Sequence, residues 1–464
     1  MQQIDDLDAA AILARHNLNQ GPLDELSGGC AARLLDLLLL SVAHPADQRD
    51  NIFLGGRGSN ALFGLKRHEL PLGRVLAMRL DGEPPSRLIP EAVCGIAGIL
   101  AYDDLMVTAY QEQDAVQENF RPGLSRAFAV HSGVLFDRER KRAGLAAAGG
   151  HGRIALAYLD ERLDRVRELV EGREWETWEP ACVPDTSDEG YLARASSVVD
   201  SIRDGRFYQL NLLRYFKVRE IPPVGWPERR IERAGGPWSA MMDTGSVGPG
   251  GVFRVVSFSP EQFVSVKGGI IETYPVKGTI ARDPDPSRDA ANARELLSSA
   301  KDLAELHMIV DLMRNDFNRI CESGSVVVPV PQELRSHANV HHLHAMVRGI
   351  LRPGTTLAGL IGAACPAGSI TGAPKIEVMK AIARIEGRKR GFHMGHVFHW
   401  RPDGSFDSSV LIRTLTGTSL SNADVRYELA AGSGIVVHSD PEAEMAEIEA
   451  KARVATARLR NLSP

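Results

Sequence analysis

The chain has 464 residues, length enough for one large or two closely packed units, since domains usually run to ~100–200 residues. Charged residues make up 24% and apolar ones 44%, and a net charge of -5 leaves no basic surplus for gripping nucleic acid. Five cysteines without a CxxC pair argue against a disulfide framework or a cysteine zinc site and fit a reducing cytoplasm.

At the start of the chain, residues 1–6 are acidic where a signal peptide is basic. The apolar run 34–42 contains Asp36 and is too short to span a bilayer, so no targeting or membrane segment is expected. Residues 1–180 read as an N-terminal α/β subdomain, with strands at 93–102 and 127–136 and a helix at 158–171. The aperiodic segment 172–187 is the candidate boundary to a second region, 188–464, that forms one intertwined globule with the first. There, 188–203 reads as a helix capped by Ser187, and 209–218 as a strand. A Pro/Gly-rich excursion over 222–251 is followed by strands at 252–257, 263–267 and 269–274, the last two joined through Gly268-Gly269 in hairpin fashion. From 287 to 321, Leu296, Leu303, Leu306, Val310 and Met313 keep helical spacing and predict one or two long helices. A Gly/Pro loop, 365–375, runs into a helix over 376–385. The last helix starts at Ser439-Asp440-Pro441-Glu442, with Ser439 as cap and Glu442 completing a capping box. Runs of strands and then helices predict an α+β fold.

That last helix stacks Glu444, Glu447 and Lys451 on one face, and Asp302 and Glu305 stand one turn apart in the earlier helix. Taken singly, each is an ordinary solvated face. Together, carboxylates from two helices could hold magnesium, which takes oxygen ligands and keeps waters or substrate oxygens in its shell. The 365–375 loop lacks the GxxxxGK[ST] spacing, so nucleotide binding is not implied. Gly432-Ser433-Gly434 can either present backbone amides to an anion or form only a tight turn. Lys277 stands at the mouth of a turn, a solvated charge unless its surroundings lower its pKa from ~10.4, as nucleophilic work requires. Two histidine clusters, at 337–344 and 393–399, lack an HExxH pattern or cysteine partners and do not read as a transition-metal site.

In chain order, Phe207-Tyr208-Gln209-Leu210-Asn211-Leu212, Ser259-Pro260-Glu261-Gln262-Phe263, Pro275-Val276-Lys277-Gly278-Thr279 and Lys301-Asp302-Leu303-Ala304-Glu305 are followed by four further motifs. These are Asp311-Leu312-Met313-Arg314-Asn315-Asp316, the 368–375 segment, Ile412-Arg413-Thr414 and Asp440-Pro441-Glu442. The set resembles the chorismate-utilising enzymes, most fully over 188–455 and more weakly over the first 150 residues. The resemblance implies large antiparallel sheets packed as a sandwich core with helices outside. It implies magnesium held by Glu305 and Glu447, with Asp302 and Glu444 as acids nearby. It also implies substrate contacts from Gly278, Thr279, Arg413, Gly432, Ser433, Gly434 and Lys451, and a catalytic histidine, His342. His393 stands where relatives often carry a tyrosine near the substrate's pyruvyl arm, and Phe398 where a glycine is common. Chorismate is a dianion, and a cation, a guanidinium and amides suit it.

Two positions separate the subfamilies. Gln209 replaces the lysine with which isochorismate and salicylate synthases activate water. Lys277 resembles component I of the aminodeoxychorismate synthases, in which this lysine adds to the ring while Glu261 protonates the departing 4-hydroxyl. The resemblance thus implies amination of chorismate for p-aminobenzoate and folate. No Gly-x-Cys-x-Gly elbow is present, so ammonia is expected from a separate glutaminase subunit. Two alternatives stay open on the sequence. One is another chorismate aminase, forming anthranilate or 2-amino-2-deoxyisochorismate; the other is a non-catalytic homologue that serves as a binding subunit.

Overall fold

In the computed structural model, residues 52–54, 60–81, 84–89, 94–112, 123–137, 142–147, 180–219, 236–246, 252–336, 340–421 and 424–456 are described, with 114, 116 and 231 singly. The N-terminal part contributes strands β1 (Ile52–Leu54) and β2 (Asn60–Leu70), then short helices α1 (Leu72–Leu76) and α2 (Pro85–Leu88). After them come β3 (Ile96–Leu100), helix α3 (Tyr102–Met106), β4 (Arg126–Asp137) and β5 (Arg142–Ala147). Strand β3 falls inside the predicted 93–102, and β4 covers the predicted 127–136. The expected helix at 158–171 lies outside the described residues, as does 172–179 of the expected boundary. The end of that segment is strand β6 (Ala181–Pro184), paired with β7 (Gln209–Arg219).

Between them, α4 (Asp188–Arg203) keeps its predicted limits because Ser187 Oγ accepts the Gly190 amide at 3.2 Å, satisfying one of the first-turn donors. The Pro/Gly-rich excursion contains β8 (Ala240–Ser246), and β9 (Val252–Ser257), β10 (Gln262–Lys267), β11 (Ile270–Thr273) and β12 (Val276–Ala281) follow. Gly268 and Gly269 have φ of 58° and 75°, the pair of positive values that a tight hairpin between β10 and β11 requires. Helical spacing from 287 onward resolves into α5 (Pro286–Ser298) and α6 (Ala300–Asn318), divided at Ser299, whose hydroxyl caps α6.

The remaining elements are β13 (Val327–Ser336), β14 (Val340–Ile350), α7 (Leu357–Ala364), β15 (Gly372–Ala373), α8 (Lys375–Glu386), β16 (His396–Trp400), β17 (Phe406–Val410), β18 (Thr414–Ser421), β19 (Asp424–Ile435) and α9 (Pro441–Thr456). At the head of α9 the capping differs from expectation. Asp440 Oδ1, not Ser439, accepts the Glu442 amide, while Ser439 Oγ donates to Glu444 at 2.6 Å. Pro441 fixes the first helical residue, so the side chain immediately before it is the one in reach of the free amides.

All the strand pairings are antiparallel, and one ladder runs β14–β11–β10–β17–β16–β3–β4–β2–β1–β8–β9–β18–β19–β7. The ladder doubles over, because its two ends share a core. Val264, Leu343 and Val410 from one half pack in the same apolar cluster as Leu213, Tyr215 and Ala430 from the other. The period of two along β7 explains the layering: Leu213 and Tyr215 face that central core, while Leu210, Leu212 and Phe216 face helices α4, α8 and α9. Fully burying each such side chain contributes roughly 1.5–3 kcal/mol. Helices α5 and α6 cover β12 and β14. The architecture is therefore α+β with large antiparallel sheets. One helix departs from the outside placement: α7, with no charged residue, has all eight residues buried. Among the described residues no helix is long and apolar enough to cross a membrane.

The N-terminal strands belong to this same ladder, β1 pairing with β8 and β3 with β16. In the β3–β16 register Gly98 lies opposite Phe398, whose ring occupies the space a Cβ at 98 would need, 2.1 Å from its Cζ. The small residue and the large one are therefore a matched pair, and Phe398 stacks onward against Phe406 at 5.4 Å. A Gly98→Val substitution should destabilise the protein by ~1–3 kcal/mol through overpacking. In the Gly98→Val/Phe398→Ala background much of that loss should return, and denaturant titration of the three variants reads the coupling; strictly additive losses would contradict the matched pair.

Candidate active site

The site lies where the ladder leaves one strand edge unpaired. Strand β18 begins at Thr414, opposite Ala430 on β19, so among the described residues 431–435 pair on the β7 side only. On β7, Asn211 gives its amide to the Thr371 carbonyl and Leu213 gives its amide to Glu386, so both turn away from β19. Their partners across the ladder are Gly434 and Gly432. In an antiparallel pair such positions alternate, so the amides and carbonyls of Gly432 and Gly434 point to the open edge. Lys451 Nζ already donates to the Gly432 carbonyl there at 2.9 Å. Ser433, between them, pairs with Leu212 and directs its buried side chain to the α4 side, where it neighbours Tyr191. Of the three residues expected to bind substrate, the two glycines face the site and Ser433 does not.

Both glycines also let neighbouring polar side chains close on the strand. A Cβ on Gly432 would fall 2.6 Å from Asn211 Oδ1. One on Gly434 would fall 2.6 Å from Gln209 Nε2 and 3.5 Å from Lys277 Nζ. The wholly buried Gln209 has neither amide atom hydrogen-bonded within the described structure.

Lys277 reaches this edge from the opposite sheet. The β12–β14 register shifts between Lys277 and Thr279, with Gly278 as the extra residue at φ 67°. Lys277 therefore pairs with Leu343 and Thr279 with His342, residues whose side chains leave opposite faces of β14. The bulge aims Lys277 at α6, its Nζ 3.8 Å from Glu305, each side chain 16% exposed and so partly shielded from water. Thr279 instead meets His342 Nδ1 at 2.9 Å, and that nitrogen is 3.3 Å from the Gly278 carbonyl. A Cβ on Gly278 would fall 2.8 Å from Leu296 Cδ1 on α5 and 3.1 Å from Asp302 on α6.

Glu261 precedes β10 and accepts Ser369 Oγ at 2.7 Å. Burial pushes its pKa up, with Ser369, Lys277, Lys451 and Arg413 pulling the other way. Arg413 is held beside it in a left-handed conformation, φ 51°, with its carbonyl accepting the Phe258 amide. Such backbone costs of order 1–3 kcal/mol and marks a position the surroundings over-determine.

Four acids line the other wall. Burial pushes Glu305 up, Lys277 and Lys301 oppose it, and Asp302 and Glu444 add to it. Glu447 is about half-exposed and only partly desolvated, and Lys451, 2.6 Å away, with Lys277 and Lys301, holds its carboxyl below the usual range. Among the described residues no three metal-ligating side chains converge. Two carboxylates, each countered by lysines, suit a hard cation that keeps most of its shell for water and substrate, and not a metal caged by protein.

His393 lies outside this cluster. It is buried against Thr416 Oγ1 at 3.1 Å and Glu428 at 3.5 Å. Glu428 stands four residues along β19 from Gly432, about 13 Å at ~3.3 Å per residue. Ser369 is the contact that sequence reasoning missed, since no spacing links 369 to 261.

A family profile described as "chorismate binding enzyme" matches residues 47–457. Aminodeoxychorismate synthase component 1 of Klebsiella aerogenes is 38% identical over 264 residues, 56% of each chain. Anthranilate synthase component 1 of Haloferax volcanii is 36% identical over 266 residues, 57% of this chain and 49% of its own. The chain spans about half the length, or less, of the curated relatives it matches. The crystal structure of anthranilate synthase component I from Streptococcus pneumoniae TIGR4 shares the fold, with TM-score 0.63 at 24% identity over 88% of this chain and 92% of that one.

Replacing Glu261 tests its electrostatics through stability. A carboxyl whose folded pKa is raised lends stability fully present below its unfolded value, ~4.3, and lost as pH rises through the folded one. Glu261→Gln keeps an acceptor for Ser369 but cannot ionise. The melting temperature of this variant relative to wild type should therefore climb from pH 4 towards neutrality; a difference constant with pH would refute the raised pKa.

Proposed function

The chain belongs to the chorismate binding enzyme family, and we propose that within it the protein is the synthase subunit of an aminodeoxychorismate synthase. The observation that carries this reading is Lys277, aimed by the Gly278 bulge into one space with Glu261, Arg413 and the open Gly432–Gly434 edge. Relatives of comparable identity include both aminodeoxychorismate and anthranilate synthases, so the choice between them rests on this residue.

In the proposed reaction the neutral Lys277 amine adds to ring carbon C2 while the C4–O bond breaks. Glu261 gives its proton to the departing hydroxyl, which leaves as water. Ammonia then bonds to C4, the C2–N bond to Lys277 breaks, and the proton shed by the new amine restores Glu261. Splitting the substitution in two is what a covalent nucleophile contributes. A carboxyl raised by burial is suited to donating that proton near neutrality. Arg413 and the two glycine amides would hold the dianion, and Lys451 would stand near its ring carboxylate. Glu305 and Glu447 would hold magnesium, whose charge offsets that of the substrate carboxylate when bound.

Ammonia is proposed to come from a separate glutaminase subunit, in the cytoplasm. In support, burial pushes the thiols of Cys94, Cys321 and Cys365 up to about 12 and that of Cys182 up to about 11, so none of these four supplies a thiolate for glutamine hydrolysis.

Chromatography of the products from chorismate, magnesium and ammonium decides the reading: 4-amino-4-deoxychorismate is expected, and anthranilate as the main product would sink it. Glu261→Gln should lower turnover by ~10²–10⁴-fold. Lys277→Ala should abolish the covalent adduct seen by intact-protein mass spectrometry when ammonia is withheld, and a variant that still makes the product at the wild-type rate refutes the nucleophile. Removing either Glu305 or Glu447 should make turnover insensitive to added magnesium by eliminating it; retained activity in chelator-treated buffer would contradict the assignment.

A further inference from the structure

We propose that the buried ion pair Lys375–Asp316 is a positioning unit for Glu261, acting through Ser369; this rests on the acid role proposed above for Glu261. Both side chains are wholly buried, with Nζ 2.8 Å from Oδ2. Lys375 is the first residue of α8, and its Nζ also donates to the carbonyl of Ala364, the last residue of α7, at 2.9 Å. One ammonium therefore ties together the two ends of the loop 365–374. Asp316 pins that base to α6 and accepts Tyr110 OH on its second oxygen at 3.1 Å.

The loop itself lies directly on α6. A Cβ on Gly368 would fall 2.4 Å from Leu312 Cδ2, so loop and helix are in direct contact there. Thr371 Oγ1 bonds the Ala367 carbonyl at 2.9 Å, and Arg390 holds the Ile370 carbonyl at 3.0 Å from the other side. Between these fixed points sits Ser369, the residue that donates to Glu261. Helix α6 also carries Glu305, so the pair references the acid and a proposed metal carboxylate to one rigid element.

Stability alone does not explain two charges here. A buried pair can often be replaced by apolar residues of similar volume with little loss, whereas removing one partner strands a charge and is strongly destabilising. An apolar pair would fill the space but could not hold the Ala364 carbonyl.

The double variant Lys375→Met/Asp316→Leu separates the two roles. Each single substitution should lower the melting temperature sharply by stranding a charge, while the double variant should recover most of that loss, falling short of wild type by what the unsatisfied Ala364 carbonyl costs. With chorismate and ammonium, kcat of the double variant should fall ~10- to 100-fold, as small misplacements of catalytic groups do, with KM for chorismate changed far less. Ser369→Ala should cause a similar loss, and adding it to the double variant should cost nothing further. Difference infrared spectra of the Glu261 carboxyl, assigned with Glu261→Gln, read the same geometry without turnover. The band should shift alike in Ser369→Ala and in the double variant. An unshifted band, a wild-type kcat, or losses that multiply would overturn the inference. So would a double variant that melts as low as either single variant, because the pair would then serve the fold itself. Wild-type protein that fails to consume chorismate would count against the proposed function alone, since the infrared comparison still decides this one.

Discussion

The arrangement depends on a strand that stops early. Had β18 continued past Thr414 towards lower numbers, the edge of β19 at 431–435 would be capped by backbone and the site would be sheet interior. The left-handed turn at Arg413 ends that pairing, and it does two things at once. It frees the polar groups of Gly432 and Gly434, and it leaves a guanidinium at the opening beside Glu261. An unpaired buried edge is costly for a sheet, so it persists only where something polar satisfies it. Lys451 does so for the Gly432 carbonyl.

Around that edge the charges are arranged in alternation. Lys277 stands near both Glu305 and Glu261, and Lys451 is bonded to Glu447. Each carboxylate thus has a lysine in reach without a divalent cation, and burial acts on all of them in one direction while the lysines act in the other. A dianion entering with a cation would bring a nearly balanced charge into a nearly balanced site, which limits the desolvation cost of binding.

Much of the fold was legible because local chemistry decided it. Ser187 set the start of α4, Gly268-Gly269 set a hairpin, and Ser299 divided a stretch that periodicity left as one or two helices. What stayed illegible depended on distant partners. Strand β8 reads as irregular because its partners are β1, almost two hundred residues earlier, and β9, which follows the Gly-rich sequence 247–251. Asp440 displaced Ser439 as the cap because Ser439 was drawn to Glu444. At the site, Glu305 and Glu447 read singly as solvated faces, and motif resemblance, not spacing, joined them. The outward turn of Ser433 is readable only once the register with β7 is known, and Ser369 reaches Glu261 across a hundred residues of chain.

The β3–β16 pairing sets Ile96 against Trp400 and Leu100 against His396, strands separated by about three hundred residues. During synthesis at ~5–20 residues/s, β3 emerges from the ribosome roughly 15–60 s before the strand that completes its sheet exists. All five of its residues are apolar or small and all are buried in the finished protein, so for that interval the nascent chain carries a bare, sticky edge. Whatever shields β3 while translation proceeds therefore guards the chain against misassociation in a way the stability of the completed molecule cannot.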